Sequence, residues 1–219
     1  MSTSTPSTTS TTGIIGAGHM GAAFAKRLAA AGHRVAITAT DPAHAAQAAQ
    51  AAGAGARAVP AADVARGADL VILAVPYAAA ADALRAAGDL AGTTVVDISN
   101  PLTPDMSGLV VGHTTSAAEE IQRAVPTARV VKAFNTIFAQ VLGGEARAGA
   151  PPVQVFYAGD AAEAKGRVRA LVESVGFEAV DAGPLANARY LEPAGMLNIY
   201  FAYVAGRGPT VAPAWVPVA

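Results

Sequence analysis

A glycine-rich segment close to the N-terminus, residues 13–21 with the sequence GIIGAGHMG, constrains the fold of this chain most strongly. A short apolar run precedes glycines spaced G-x-G-x-x-G, and an alanine-rich helical segment follows directly. This order of strand, glycine turn and helix predicts a dinucleotide-binding turn. We expect Gly16 to permit the tight turn, Gly18 to let the backbone approach a pyrophosphate, and Gly21 to let the helix pack against the strand.

The composition narrows the class of partner. The 219 residues are 53% hydrophobic and only 14% charged, with a net charge of −1. This balance disfavours a nucleic-acid surface or an electrostatic membrane anchor, so small molecules or another protein are the expected partners. The chain has no cysteine, which excludes disulfides and thiolate metal ligands, and its four histidines lack the spacing of a metal site.

The pattern of apolar residues predicts strands that alternate with helices along most of the chain. The predicted strands after the first cover residues 34–38, 56–59, 70–75, 93–98, 129–132, 153–157 and 177–180, and the predicted helices cover 20–31, 42–52, 78–87, 117–124, 161–175 and 188–205. We therefore predict an α/β fold, a doubly wound parallel sheet of the Rossmann type with a small C-terminal helical addition.

Three segments follow from this interpretation. Residues 1–12, rich in Ser and Thr, are predicted to be a disordered tail, 13–187 the dinucleotide-binding domain, and 188–219 a helix followed by an extended tail. The tail lacks the basic start and apolar centre of a signal peptide, so we expect a cytoplasmic protein. The last helix is too short in its apolar length for a membrane span and is expected to pack on the domain or on a second subunit.

Ligands of such sheets bind outside the carboxyl ends of the strands. This rule brings together the glycine turn and the segments 38–41, 75–77, 99–101 and 134–136. The long stretch from Leu102 to Thr115 has no periodicity and predicts a loop over the strand ends.

The end of the second strand bears on the choice between NADP and NAD. An NAD site typically places a carboxylate there, and Ala39 occupies that place, while the hydroxyls of Thr38 and Thr40 suit the extra phosphate of NADP. Asp41 would repel that phosphate unless it caps the helix that begins at Pro42, and we interpret it as this cap. NADP is the preferred assignment, and NAD remains open.

The assembled motifs resemble those of the NADP-dependent oxidoreductases that use the deazaflavin coenzyme F-420, and the nucleotide-binding domain of the related membrane ferric reductases. The matching segments are GAGHMG at 16–21, VPY at 75–77, DISNP at 97–101, VKAFNTI at 131–137 and DAGPL at 181–185. The resemblance implies a Rossmann domain, usually dimeric, in which a hydride passes directly between the nicotinamide and the deazaflavin.

The resemblance also implies site residues. The pyrophosphate would be held by Gly16, Gly18, His19, Met20 and Gly21, with Thr38 and Thr40 at the adenosine ribose, Val75, Pro76 and Tyr77 along the nucleotide, Asn100 and Pro101 on the same rim, and Asn135 and Thr136 near the nicotinamide. This chain departs from the family at Ala39-Thr40, where members that use NADP often have Ser-Arg. The missing arginine removes a charge-assisted partner of the phosphate and weakens the assignment of NADP.

Three functional hypotheses remain. The first is an NAD(P)H-dependent reductase of a deazaflavin or flavin acceptor, which carries its own chemistry and needs no acid or base from the protein. The second is reduction of a small imine or carbonyl compound, with Lys132 or Tyr77 as proton donor, although a lysine at a strand end is more often a solvated charge. The third is a dinucleotide-binding sensor without turnover. A homodimer is expected for the enzyme.

Overall fold

The computed structural model describes residues 10–53, 55–145, 149 and 151–218. Its strands are β1 (Thr11–Ile15), β2 (Arg34–Thr38), β3 (Ala56–Ala58), β4 (Leu70–Leu73), β5 (Thr94–Asp97), β6 (Arg129–Ala133), β7 (Gln154–Gly159) and β8 (Glu178–Asp181). Its helices are α1 (His19–Ala30), α2 (Pro42–Ala52), α3 (Tyr77–Arg85), α4 (Ala117–Ala124), α5 (Ala139–Gly143), α6 (Ala162–Ser174) and α7 (Ala188–Ile199). A π-helical turn, Tyr200–Val204, continues α7.

The strands form one sheet in the order β3-β2-β1-β4-β5-β6-β7-β8. The chain first moves outward from β1 to β3 and then restarts at β4 on the other side of β1. The order therefore reverses between β1 and β4, and such a switch point opens a crevice at the carboxyl ends of the strands. The Rossmann-type fold predicted from the sequence is confirmed.

One detail departs from a fully parallel sheet. β7 pairs with β6 antiparallel, and β8 pairs with β7 in parallel. The alternation of apolar residues in β7 is the same for either direction, so the sequence pattern did not reveal the reversal.

The helices cover both faces of the sheet. Phe24 and Leu28 of α1 pack on one face with Val168 and Leu171 of α6, and all four are buried. The other face carries α3, α4 and α7. Every residue of β4 is buried, as expected for a strand covered on both sides.

The predicted N-terminal tail overlaps the first strand of the structure. The predicted disordered tail falls mostly on residues 1–9, which lie outside the described residues. We correct its boundary, because Thr11 and Thr12 belong to β1, where the N–H of Thr11 donates to Asp69 Oδ2 at 2.8 Å. At the other end, residues 209–218 contain no helix or strand. Across the described part of the chain, no helix combines the length and apolarity that crossing a bilayer requires.

Candidate functional site

The glycine turn between β1 and α1 uses its three glycines in different ways. Gly16 has φ +108°, and a Cβ there would lie 2.3 Å from the carbonyl oxygen of Ala74. A Cβ on Gly21 would lie 1.8 Å from the carbonyl oxygen of Gly16, so helix and turn touch backbone to backbone. A Cβ on Gly18 would meet nothing within 4 Å. The fold itself thus requires Gly16 and Gly21, whereas Gly18 leaves open space at the start of the helix.

The N-terminus of α1 suits an anion. Gly18 is the N-cap, no side chain caps the helix, and its first turn has no acidic residue. The first backbone N–H groups and the positive end of the helix dipole therefore face the open space beside Gly18. This arrangement fits the pyrophosphate of a dinucleotide.

A cleft of about 660 Å³ lies on one side of this helix end, and we call it the nucleotide cleft. It occupies the switch point between β1 and β4. Among the residues predicted for nucleotide binding, it is lined by Gly16, Gly18, Thr38, Thr40, Val75 and Pro76. The carboxyl ends of β1, β2 and β4 bring these residues together, as the sequence predicted.

The end of β2 forms one wall of the nucleotide cleft. Thr38 is buried and Thr40 is exposed, with Ala39 between them. The side chain of Asp41 accepts a hydrogen bond from the N–H of Ala43 at 2.9 Å, which caps α2. The interpretation of Asp41 as a helix cap is confirmed.

A second cleft, of about 470 Å³, lies on the other side of the α1 N-terminus, and we call it the aromatic cleft. It is lined by His19, Met20, Ala23, Ile98, Asn100, Asn135, Ile137, Phe138, Ala139, Gln140, Ile199 and Tyr203. The rings of Phe138 and Tyr203 meet edge to face, with their centroids 5.7 Å apart. His19 and Met20 thus join the glycine turn to this mostly apolar wall.

A left-handed backbone at Phe134 directs the chain after β6. Its φ of 58° is unusual for a bulky residue and costs of the order of 1 kcal/mol or more. The ring is buried between Phe24 and Phe177, at centroid distances of 5.0 and 6.2 Å, and this packing holds the strained conformation. The turn places Asn135 at the aromatic cleft.

The amide nitrogen of Asn135 is hydrogen-bonded, whereas its amide oxygen has no partner among the described residues. Its Nδ2 donates to Asn100 Oδ1 at 2.9 Å and to the carbonyl oxygen of Leu191 at 2.7 Å. Because a carbonyl oxygen only accepts, these bonds fix the orientation of the amide. The other atom, Oδ1, is buried and has no partner among the described residues. A buried acceptor without a partner is costly, and an amide or hydroxyl donor of a ligand would satisfy it.

The α7 helix approaches this amide pair closely. A Cβ on Gly195 would lie 2.5 Å from Asn100 Oδ1 and 2.8 Å from its Nδ2. The Nδ2 of Asn100 also donates to the carbonyl oxygen of Asn135 at 2.8 Å. Gly195 therefore permits the contact that joins α7 to the rim of the sheet.

Lys132 lies in a fully buried cluster beneath this rim. Its Nζ lies 2.6 Å from Asp97 Oδ2, 2.8 Å from Glu192 Oε1 and 2.8 Å from the carbonyl oxygen of Ser99. Burial by itself would lower the pKa of Lys132, but the two carboxylates together outweigh it and raise this pKa above its ordinary value. The three protons of the ammonium group have three acceptors. The interpretation of Lys132 as a solvated charge is wrong, because its side chain is completely buried.

Glu192 connects this cluster to the N-terminus of helix α4. Its carboxylate accepts from the backbone N–H groups of Ala117 and Ala118, at 2.9 and 3.2 Å. The first turn of α4 thereby offsets the second negative charge, since a helix N-terminus stabilises an anion.

Besides Gly21, three predicted site residues line neither cleft. Tyr77 packs against the core, and its hydroxyl donates to Glu120. Burial, and then this hydrogen bond, raise the pKa of Tyr77 to about 12. Pro101 is buried, and Thr136 is buried with its carbonyl oxygen bonded to Asn198 Nδ2 at 3.0 Å.

Comparison with known proteins identifies the family. A family model described as NADP oxidoreductase, coenzyme F420-dependent, matches residues 11–101. A structure from Arthrobacter sp. FB24, provisionally assigned as an F420-dependent NADP reductase, is 33% identical, with 92% of this chain and 96% of that chain covered and a TM-score of 0.80. The chain belongs to the F420-dependent NADP oxidoreductase family.

Further relatives match this NADP oxidoreductase over different shares of its length. The hypothetical protein SMa0349 of Sinorhizobium meliloti is 37% identical, with 83% of this chain and 89% of that chain covered and a TM-score of 0.74. The metalloreductase STEAP3 of Rattus norvegicus is 40% identical over 106 residues, which are 48% of this chain but only 20% of that protein. A reductive aminase from Aspergillus terreus, solved with NADPH, shares the fold at 21% identity and a TM-score of 0.63, over 90% of this chain and 64% of that chain.

Several residues of the site carried little signal in the sequence. Glu192 lies in a mostly apolar helix whose other charged residue is Arg189, and Gly195 lies three positions further along the chain. Asp97 was noted only within a matching motif. A charged residue inside a mostly apolar segment favours a buried partner, but it does not indicate which residue that partner is.

Proposed function

We propose that this NADP oxidoreductase transfers a hydride from NADPH to a deazaflavin acceptor of the coenzyme F-420 type, or to a flavin. The family supplies the class of reaction and the nucleotide, and the resemblance of motifs favours the acceptor. Two clefts on either side of one helix N-terminus suit a dinucleotide whose two halves diverge from the pyrophosphate.

One observation carries the choice of acceptor. The two candidate proton donors for imine or carbonyl reduction, Lys132 and Tyr77, do not line the aromatic cleft. Lys132 is buried with all its protons bonded, and the hydroxyl of Tyr77 is bonded to Glu120. A flavin-type ring accepts a hydride without a proton from the protein, so a cleft without these donors favours it.

The residues of the chain would divide the work of binding. When bound, NADPH supplies the hydride. The α1 N-terminus would hold its pyrophosphate, and Thr38 and Thr40 would line its adenosine half. Asn135 would accept a hydrogen bond from the carboxamide through Oδ1, which lacks a partner among the described residues. Phe138 and Tyr203 would contact a flat ring and exclude water, which hydride transfer requires.

The test is a panel of acceptors. Purified protein with NADPH is mixed separately with F-420, FMN, FAD and a cyclic imine, and the absorbance of the reduced nicotinamide is followed. We expect NADPH to be consumed faster with the deazaflavin than with any other acceptor of the panel. Consumption with the imine alone would overturn the proposal, and tight NADPH binding without turnover of any acceptor would favour a sensor.

Two variants sharpen this test. His19 and Tyr203 are the ionisable side chains among the described residues of the aromatic cleft, so Tyr203→Phe removes one remaining donor. We expect deazaflavin reduction by Tyr203→Phe and by Tyr77→Phe to keep the pH profile of the wild type. Loss of one limb of that profile in either variant would indicate proton donation and support imine or carbonyl chemistry.

We also propose that the enzyme is a homodimer in the cytoplasm. The last helix and its π turn expose a patch of large side chains, with exposed fractions of 73% for Tyr190, 54% for Leu197 and 47% for Tyr200. Large exposed apolar patches commonly mark interfaces. Light scattering during gel filtration tests the dimer, and Leu197→Glu should shift it toward monomer. The cytoplasmic location stays a prediction.

A further inference from the structure

The nucleotide cleft contains a histidine that no motif pointed to. His44 lies in the first turn of α2 and lines the cleft together with Thr38 and Thr40. It is the single basic side chain among the described residues that line this cleft. The end of β2 and the residues that follow it up to Asp41 include no basic residue.

Asp41 is the charged group nearest to His44. Its Oδ2 lies 3.8 Å from His44 Nε2, and both side chains are exposed, at 56% and 68%. The other carboxylate oxygen of Asp41 accepts the N–H of Ala43 and is therefore occupied by the helix cap. Because most of its side chain is exposed, His44 is accessible to a ligand in the cleft.

Two pairs of charged residues close to the cleft are bonded to each other. Asp63, two residues after the cleft residue Ala61, lies 2.7 Å from Arg66, and Asp82 of α3 is bonded to Arg85. None of these four residues lines the cleft. His44 and Asp41 are accordingly the titratable groups that a ligand would meet at this end.

We propose that His44 binds the 2′-phosphate of NADP and makes the preference for NADP over NAD depend on pH. This inference rests on the proposed function, because it requires the nucleotide to occupy the cleft. Histidine gains its charge close to neutral pH, and an imidazole that pairs with a phosphate takes up a proton on binding. The hydroxyls of Thr38 and Thr40 bond phosphate without any change in charge, so they cannot supply such a dependence.

The experiment compares two nucleotides over a range of pH. Dissociation constants of NADPH and NADH are measured by calorimetry between about pH 6.5 and 8.5, where histidine changes charge while a phosphomonoester stays mostly dianionic. We expect the ratio of the NADH constant to the NADPH constant to rise about three- to tenfold as the pH falls, as for one partly exposed charge-assisted contact.

Two matched variants assign this dependence. His44→Asn should make the ratio lower and independent of pH while leaving the NADH constant unchanged. His113→Asn removes another exposed imidazole, which lies outside both clefts and has a φ of 60° that Asn tolerates. This control should retain the wild-type dependence.

The outcomes separate this inference from the proposed function. A pH dependence that persists in His44→Asn, or one absent from the wild type, overturns the role of His44 even if the deazaflavin is reduced normally. Failure of the wild type to bind either nucleotide overturns both proposals. Normal pH dependence without reduction of any acceptor supports the role of His44 and overturns the proposed reaction.

Discussion

Lys132 of β6 and Glu192 of α7 form a completely buried ion pair, with Nζ and Oε1 2.8 Å apart. Asp97 of β5 shares the same ammonium group at 2.6 Å. One lysine thus joins the centre of the sheet to the C-terminal helix. Because Ile98, Ser99 and Asn100 follow Asp97 directly, and Ile98 and Asn100 line the aromatic cleft, the cluster lies immediately below the rim that forms this cleft.

Substitutions of Lys132 and of Glu192 should lower the stability of the protein by different amounts. Lys132→Met leaves two buried carboxylates without their cation, and we expect it to lower the free energy of unfolding by about 3–5 kcal/mol. Glu192→Gln keeps the Lys132–Asp97 pair but turns one amide N–H toward the α4 N-terminus, and a loss of about 1–3 kcal/mol is expected. Urea unfolding of both variants at neutral pH measures these losses. Small and equal losses in the two variants would contradict a stabilising role of the buried ion pairs.

Gly18 predicts a loss of binding without a loss of stability. Gly18→Ala meets no neighbour within 4 Å and has an ordinary φ of −71°, so the free energy of unfolding should change by less than about 0.5 kcal/mol. The added methyl group would occupy the space beside the helix N-terminus, and NADPH affinity should fall at least about tenfold, or 1.4 kcal/mol. Calorimetry measures the affinity.

A helical glycine provides the control for this variant. Gly166 of α6 also meets nothing within 4 Å, and Gly166→Ala should stabilise the protein by about 0.5–1 kcal/mol with unchanged binding. Wild-type affinity in Gly18→Ala would show that no phosphate approaches this point.

Gly195 predicts a clash that a second substitution relieves. Gly195→Ala would place Cβ 2.5 Å from Asn100 Oδ1, and we expect a loss of about 1–3 kcal/mol from overpacking. In an Asn100→Ala background the same change should cost little, because the obstructing amide is gone. Thermal or urea unfolding of the four proteins forms a double-mutant cycle. Additive losses would show that these residues do not interact.

His33 predicts a decline of stability in mild acid. It is buried, its Nδ1 accepts from the N–H of Ser10 at 3.1 Å, and its Nε2 lies 2.8 Å from Ser174 Oγ. Burial lowers its pKa below the ordinary value of 6.5. The unfolded chain therefore binds the proton more readily, so stability is complete above about pH 6.5 and falls as the pH decreases toward the pKa of the folded state.

Urea unfolding from about pH 5 to 8 measures this dependence. His33→Gln can retain an acceptor and a donor without titrating, and we expect a flatter profile in mild acid. His113→Asn serves again as the control, since His113 is exposed. The same slope in His33→Gln and in the wild type would assign the acid sensitivity to other groups.

Local sequence predicted those features that depend on neighbouring residues. The glycine turn, the strand Arg34–Thr38 and the helix Pro42–Ala52 were predicted at their observed positions, or within a residue of them. The cap by Asp41 followed from Pro42, which suits the first position of a helix. In each case the residues that define the element lie within one turn or strand.

Features that join distant segments escaped prediction. Asp97 and Lys132 are 35 residues apart, and Glu192 comes from the last helix. Nothing in the periodicity of β6 distinguishes a buried lysine with two carboxylates from a lysine that reaches solvent. The contact of Tyr77 with Glu120 and the reversal of β7 likewise depend on how separate elements pack.

The two clefts differ in when their walls leave the ribosome. The nucleotide cleft is lined entirely by residues between Ile15 and Ala86, whereas the aromatic cleft needs Ile199 and Tyr203. A growing chain therefore acquires the walls of its nucleotide cleft before strands β5 to β8 are made. Ile199 and Tyr203 of the aromatic cleft, and the carboxylate of Glu192 that completes the charge cluster, follow only after all eight strands of the sheet.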